Sequence, residues 1–332
     1  METATIRAVR TIEPVARREA VGLREVTAVW LGWAAATALL IVTYARIAPA
    51  QLYNVSHSGL AGGLGRAVVQ LNFPVALAAI AIAGVLAARL RQAGGAFAPG
   101  ERRLVKAGLI IGALLCAIVA GPGVVRQGNL DARWINAPAA LGVLVIAALT
   151  IVIARRTGLG EAARFGPGDR VRIGLALALI LVALPWLFAE AGVYIGRVPG
   201  LGRIFLSEQI RPGETEAAVH LGHHHGADGL YLALTGLLLS RVLPRIEASA
   251  LKAALGFYLG LMLAYGIANM ANDAWTEQVW KRGWTNVKLL DFLTPSLSPA
   301  WALLLIAAVA IDLLVVPRLA SPFREPEIPP SP

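Results

Sequence analysis

Cysteine is almost absent from this chain, because Cys116 is the only one among 332 residues. A single cysteine excludes an intrachain disulfide and a cysteine-rich metal site. Charged residues are scarce too, at 15 % of the chain, whereas soluble proteins have about 25 %. So little charge argues against a soluble fold.

Several motifs of cofactor chemistry are also missing. The phosphate-binding pattern GxxxxGK followed by Ser or Thr does not occur, and the Gly-rich run from Gly59 to Gly65 does not follow a predicted strand. ATP-driven transport by this chain alone is therefore unsupported. No histidine lies in the long apolar segments, which disfavours a b-type haem held between helices. The zinc-protease pattern HExxH is absent as well.

Apolar residues, by contrast, make up 57 % of the chain. They form windows with few or no charges, most of about 18 to 23 residues, the length that an α-helix needs to cross a hydrocarbon core of about 30 Å. The sequence therefore predicts an all-α, polytopic integral membrane protein with about eight transmembrane helices. The predicted windows are 26–48, 68–88, 104–121, 136–154, 171–191, 227–243, 250–271 and 299–317.

The basic residues predict an orientation. Of the 30 Lys and Arg residues, 20 fall on the side of the predicted topology that carries both termini. The positive-inside rule then places both termini in the cytoplasm of a bacterial-type inner or plasma membrane. The formal charge of +10 thus needs no nucleic-acid partner, and the expected partner is the lipid bilayer.

The same reasoning divides the chain into three parts. Residues 1–25 lack the short apolar core of a cleaved signal peptide and are expected to form a basic cytoplasmic tail. Residues 26–317 form the predicted eight-span membrane domain. Residues 318–332 are Pro-rich and are expected to form a second cytoplasmic tail.

Two pairs of short motifs suggest an internal repeat. Leu71–Leu77 (LNFPVAL) resembles Ile135–Leu141 (INAPAAL), and Phe97–Arg102 (FAPGER) resembles Phe165–Arg170 (FGPGDR). The Pro and Gly residues suit helix starts and turns, and the acid suits the positive end of a helix. The pattern predicts a parallel duplication of a helix hairpin, 68–121 and 136–191, about an axis along the membrane normal as in some transporters.

A His-rich loop is the most distinctive polar feature. Residues 220–229, HLGHHHGADG, hold four of the five histidines of the chain. Imidazole and carboxylate groups are suitable ligands for Zn²⁺ or another divalent transition metal. The glycines at 222, 226 and 229 favour a loop that approaches a neighbour closely over a rigid helix. The candidate metal ligands are His220, His223, His224, His225 and Asp228.

Two alternatives for this loop need no metal. It can be a solvated segment in which Asp228 caps the next helix, or a His and Asp site that handles protons. Because window 227–243 is short for a membrane span, Asp228 is expected at the membrane boundary. An ionisable residue there is a candidate for a functional site.

Four other residues on the same predicted side complete the candidates. Glu190 and Asp273 are candidate catalytic bases that would act on water activated by a bound metal. Arg126 and Arg133 are candidates for binding the phosphate or carboxylate head group of a substrate. The Trp-rich segment after the seventh window is expected to lie at the membrane interface or to form a lid.

Three functions are compatible with these features. The leading one is metal-assisted chemistry on an extracytoplasmic or lipid substrate. The second is a transporter or an ion- or proton-handling protein, and the third is a structural or assembly subunit without catalysis. The sequence favours no particular oligomeric state and does not decide whether the chain is an enzyme.

Overall fold

A computed structural model describes residues 20–46, 57–121, 123–125, 131–161, 165–191, 225–280, 283–290, 292 and 295–319. Within these ranges the chain is helical and has no β-strand, which confirms the all-α prediction. The ten α-helices of this part are α1 Arg24–Arg46, α2 Gly59–Asn72, α3 Pro74–Gln92, α4 Pro99–Ala117, α5 Ala137–Thr157, α6 Pro167–Glu190, α7 His225–Leu239, α8 Ser249–Trp275, α9 Pro299–Leu314 and α10 Val316–Leu319.

Eight helices of the described part are long and apolar enough to cross a membrane. They correspond to the eight predicted windows, with shifted ends. The largest shift is in α8, which was expected to end at 271 but continues to Trp275 and then as a π-helix from Thr276 to Trp280. The first part of the predicted interfacial segment therefore prolongs a helix of the bundle.

Helix α2 was not predicted as a separate helix, because residues 59–67 fall between the predicted windows 26–48 and 68–88. It leads into α3 through a kink at Phe73, where Pro74 supplies no backbone N–H. The N–H of Phe73 still donates to the carbonyl oxygen of Val69 at 3.2 Å, so the two helices follow each other almost directly. A Cβ at Gly63 would overlap the carbonyl group of Ile41, which shows that the glycines allow close packing on α1.

Helix ends meet at a surface rich in arginine, which we call the basic end. There the N–H of Val21 donates to Oε1 of Gln92 at 2.8 Å, and Nε2 of Gln92 donates to the carbonyl oxygen of Arg245 at 2.9 Å. Arg156 and Glu101 form an exposed ion pair at 3.0 Å. The start of α1 and α4 and the end of α3, α5 and α7 therefore lie together, and we call the opposite end distal.

A buried ion-pair network joins three helices at the basic end. NH1 of Arg172 lies 2.8 Å from Oδ1 of Asp169 within α6. Arg241, just after α7, places Nε 3.0 Å from Oδ1 of Asp169 and NH1 3.4 Å from Oε1 of Glu25 in α1. With two acids and two arginines, the network is formally neutral.

The proposed repeat has a partial structural counterpart. Glu101 of FAPGER and Asp169 of FGPGDR each accept a hydrogen bond from the backbone N–H three residues earlier. The N–H of Ala98 donates to Glu101 at 3.1 Å, and the N–H of Gly166 donates to Asp169 at 2.9 Å. The two hairpins pack differently, however. Helix α3 lies along α4, whereas α6 packs on α7 and α10 and, in the described ranges, contacts α5 only marginally. The duplication itself stays a prediction.

Helices α7 and α8 cross at two glycines. A Cβ at Gly266 would overlap the carbonyl oxygen of Gly229, and a Cβ at Gly229 would meet that of Gly266. Gly226 is covered by the indole ring of Trp186, which leaves no room for a side chain. The expectation of close approach is correct, but the expectation of a loop is wrong for Gly226 and Gly229, because both lie in α7.

Candidate functional site

A buried arginine lies near the distal end of the bundle. Arg66 of α2 is only 2 % exposed, and its NH2 lies 3.7 Å from Oδ2 of Asp228. It also hydrogen-bonds to the side chain of Tyr44 in α1. Its Nε has no hydrogen-bond partner among the described residues. Arginine keeps its proton in proteins, so this is a fixed positive charge inside the fold.

Three buried carboxyl groups from three helices cluster on one side of the fold with this arginine. Glu190 ends α6, Asp228 lies in the first turn of α7, and Asp273 lies in the last turn of α8. All three are less than 8 % exposed. Glu190 interacts electrostatically with Arg66, Asp228 and Asp273, and Asp228 with Arg66 and Asp273. We call these four residues, together with Tyr44, the Arg66 site.

Close helix contacts hold the site together. Oγ1 of Thr43 donates to the carbonyl oxygen of Glu190 at 2.7 Å, which fixes the end of α6 against α1. The backbone N–H of Gly226 donates to Oδ2 of Asp273 at 3.3 Å, so α8 places a carboxylate at the N-terminus of α7. A carboxylate in that position is stabilised by the helix dipole.

Polar side chains extend the site in two directions. Gln70, one turn after Arg66 on α2, is fully buried, and its Oε1 accepts from Thr37 at 2.7 Å. Nε2 of Gln70 has no hydrogen-bond partner within the part of the chain that the structure describes. In the other direction, Glu277 follows Asp273 by four residues and is 2 % exposed. Buried polar side chains therefore continue from the site along α2 and along the distal part of α8.

The charges of the Arg66 site determine which of its groups can exchange protons. Removing one member of a buried ion pair is costly, by about 3 to 5 kcal/mol, because the other charge is left uncompensated. Carboxyl groups can gain or lose a proton, whereas the guanidinium group of Arg66 cannot. The arrangement thus combines one fixed charge with three exchangeable ones.

Cavities occur elsewhere in the bundle. An apolar cavity of about 60 Å³ lies between α3, α8 and α9, with Phe73, Tyr258 and Trp301 in its walls. A groove of about 370 Å³ lies between α6 and α7 at the basic end, and Arg172 and Arg241 are among the residues that line it. Neither is lined by a residue of the Arg66 site.

The predicted catalytic and metal-binding residues have different outcomes. Glu190, Asp228 and Asp273, which were predicted as members of one site, are brought together. His225 opens α7 one turn before Asp228 and is half-buried. In the described ranges no three His, Cys, Asp or Glu side chains converge closely enough to hold a metal ion. Four of the predicted site residues lie outside the described part of the chain: His220, His223, His224 and Arg126.

Arg133 lies in the connection between α4 and α5. Its NH2 donates to the carbonyl oxygen of Val124 at 2.8 Å, and its backbone N–H donates to Oδ1 of Asn136 at 2.6 Å. Nearby, Nδ1 of His57 lies 3.7 Å from Asp131. These contacts anchor the connection, and the role of Arg133 in head-group binding stays a prediction.

Arg66 and Tyr44 were not identified from the sequence. Arg66 lies between the predicted windows 26–48 and 68–88, so it was not assigned to a helix. One signal could have found it: Gly62, Gly63, Arg66, Ala67 and Gln70 recur at the spacing of one face of an α-helix, and all five are buried. An arginine on a buried face of small residues indicates a buried charge.

The fold and the site together define a class: a helical bundle with eight possible membrane spans and a buried cluster of one guanidinium and three carboxylate groups. No family model, curated protein or solved structure matches this chain. The geometry of the Arg66 site is therefore the basis for assigning a function.

Proposed function

We propose that the chain is a multi-pass protein of a bacterial-type cell membrane and that its Arg66 site binds and transfers protons. Both termini would lie in the cytoplasm, and the Arg66 site would lie in the extracytoplasmic half of the membrane. Support comes from the eight apolar helices and from the arginines gathered at the basic end, which agree with the positive-inside rule.

One observation carries the proposal: Arg66, on the short helix α2, and the carboxyl groups of Glu190, Asp228 and Asp273 are buried among helices that have the length and hydropathy of membrane spans. Charged side chains in a membrane are costly, and they mark ion pathways and proton relays in pumps and transporters. Carboxylates on three different helices also suit a site whose charge changes as helices shift slightly.

The arrangement of the acids suits protons better than a bound cation. Metal ions need several ligands that converge on one point, whereas a proton needs only one oxygen at a time. Asp228 lies 3.7 Å from the guanidinium group of Arg66, and the described residues contain no group of three acids or histidines that converges on one point. This favours the ion- or proton-handling alternative of the sequence analysis.

The metal hypothesis stays a prediction. It concerns His220, His223, His224, His225 and Asp228, three of which lie outside the described residues. The same holds for Glu190 or Asp273 as a base in chemistry on a lipid or extracytoplasmic substrate. The proton-transfer proposal uses these two acids in a different role and needs no substrate.

Proton flux in liposomes tests the proposal. The purified protein is reconstituted with a pH-sensitive dye inside, and a potassium diffusion potential drives proton uptake. We expect uptake above that of protein-free liposomes, and a decrease of about tenfold or more in Asp228→Asn and Glu190→Gln, equivalent to at least about 1.4 kcal/mol in a barrier. Glu101→Gln is the matched control, because Glu101 pairs with Arg156 on the exposed basic end.

Two results would overturn the proposal. One is uptake no faster than in protein-free liposomes, with the protein shown to be folded by its gel-filtration profile and melting temperature. The other is uptake that is the same in the wild type, Asp228→Asn and Glu190→Gln. Exchange of Na⁺ for K⁺, or of chloride for gluconate, then shows whether another ion is carried.

A further inference from the structure

Buried polar groups connect the Arg66 site with the ion-pair network of the basic end. They lie along the contact between α1 and α7, supplemented by one residue of α2. The group, which we call the α1–α7 seam, consists of Trp33, Thr37, Gln70, Tyr231, Thr235 and Ser240.

The distal part of the seam begins beside Arg66. Gln70 follows Arg66 by one helical turn on the same buried face of α2. Its Oε1 lies 2.7 Å from the hydroxyl of Thr37 in α1, and that hydroxyl lies 2.8 Å from the carbonyl oxygen of Trp33. Polar atoms therefore reach from the Arg66 site to the middle of α1.

The middle of the seam passes from α1 to α7. Nε1 of Trp33 donates to Oγ1 of Thr235 at 3.1 Å, and this bond is buried. The Trp33 ring also meets the ring of Tyr231 edge-on, with 5.4 Å between centroids. Tyr231 interacts electrostatically with Glu190 and Asp228, so α7 offers a second connection to the Arg66 site.

The basic part of the seam ends in the ion-pair network. Oγ of Ser240 accepts from Nε of Arg172 at 2.9 Å, and Arg172 pairs with Asp169. Between Thr235 and Ser240, however, lies an apolar interval. Five residues of helix correspond to about 7 to 8 Å, and Leu239 within this interval is fully buried.

We propose that protons cross the bundle along the α1–α7 seam and that the interval at Leu239 is the barrier. This rests on the proposed function. A hydroxyl accepts a proton on its oxygen and releases its own, so it returns to the neutral state after each transfer. The amide of Gln70 and the indole N–H of Trp33 hold the hydroxyls in place but do not carry the proton, because neither takes one up while releasing its own. Water molecules that enter transiently complete the path between the hydroxyls of Thr37 and Thr235 and across the interval at Leu239, and the proton is released to Asp169 or Glu25 at the basic end.

A matched pair of threonine variants tests the route in the flux assay. Thr235→Val removes the hydroxyl that accepts from Trp33 at little change in volume. Thr150→Val is its control, because Thr150 of α5 is also buried and accepts from Nε1 of Trp30 at 3.1 Å, but outside the seam. We expect Thr235→Val to lower proton uptake about tenfold and Thr150→Val less than about twofold.

A second pair of variants gives a result in the opposite direction. Leu239→Ser places a hydroxyl in the apolar interval and is expected to increase proton uptake severalfold. Leu86→Ser is its control, because Leu86 of α3 is equally buried outside the seam. Because Leu86→Ser shows how much a loosened bundle leaks, a gain in Leu239→Ser alone keeps the route testable even if Thr235→Val is unstable.

The outcomes separate the route from the proposed function. The function stands if proton uptake depends on Asp228 and Glu190. The route is nevertheless wrong if uptake is equal in Thr235→Val and Thr150→Val and if Leu239→Ser gives the same uptake as Leu86→Ser. If the wild type shows no uptake, the proposed function fails first. Loss in Thr235→Val alone, with gain in Leu239→Ser alone, supports the seam.

Discussion

At the scale of the residue, the contact between Arg66 and Asp228 is a buried ion pair of the site. Both side chains are buried, and NH2 and Oδ2 are 3.7 Å apart. A charge of this kind is tolerated only with its counterion, whereas an exposed pair contributes about 0 to 1 kcal/mol. The buried pair of Arg66 and Asp228 and the exposed pair of Arg156 and Glu101 therefore differ greatly in importance.

Asp228→Asn should therefore lower the free energy of unfolding by several kcal/mol, about 3 to 5 if the other carboxylates do not compensate. Glu101→Gln, which breaks the exposed pair with Arg156, should lower it by less than about 1 kcal/mol. Unfolding in detergent, followed by tryptophan fluorescence during denaturant titration, measures both. Equal stability of the two variants would show that Arg66 is stabilised by the other acids without Asp228.

At the scale of the element, the crossing of α7 and α8 positions two of the three carboxylates. Gly229 follows Asp228 directly, and Gly266 lies two turns before Asp273 on α8. Because the two glycines leave no space for a Cβ, the backbones approach as closely as helices can. Close helix approach through small residues is a recurrent form of packing in membranes.

Gly266→Ala is expected to push α7 and α8 apart and to lower the free energy of unfolding by about 1 to 3 kcal/mol. The control is Gly174→Ala in α6, where a Cβ would meet nothing within 4 Å. There, alanine should raise stability by up to about 1 kcal/mol, because glycine is a poor helix former. Melting temperatures in the same detergent measure both, and a stabilised Gly266→Ala would contradict the crossing.

The helices also show what could be read from the sequence. The eight apolar helices were predictable because hydropathy over about 20 residues depends on composition alone. Glu190, Asp228 and Asp273 were predictable as candidates because acids next to apolar spans are rare. Helix α2 was not, because its glycines serve a contact with α1 that only the folded chain reveals, and Arg66 was missed with it.

At the scale of the whole molecule, the two ends of the bundle should face opposite sides of a membrane. His57 is 69 % exposed at the distal end, and Glu101 is 47 % exposed at the basic end. The single cysteine, Cys116, is buried and can be replaced by alanine to give a background without thiols.

In that background, His57→Cys should react with a membrane-impermeant maleimide in right-side-out vesicles, and Glu101→Cys only in inverted vesicles. The expectation follows from the positive-inside rule, which places the basic end in the cytoplasm. The reverse pattern would contradict the orientation. Labelling of both residues from one side would contradict an odd number of membrane crossings between them.

Helices α3 and α7 are the most enclosed of the eight, and α7 has the lowest hydropathy. This has a consequence for biosynthesis. Helix α7 carries Asp228 and would enter the bilayer poorly alone, yet its counterion Arg66 is translated 162 residues earlier. At typical translation speeds Arg66 precedes Asp228 by roughly ten seconds or more. In a membrane, α1 and α2 would thus be in place to receive α7, and a nascent chain in which they fail to pair would leave Asp228 without its counterion.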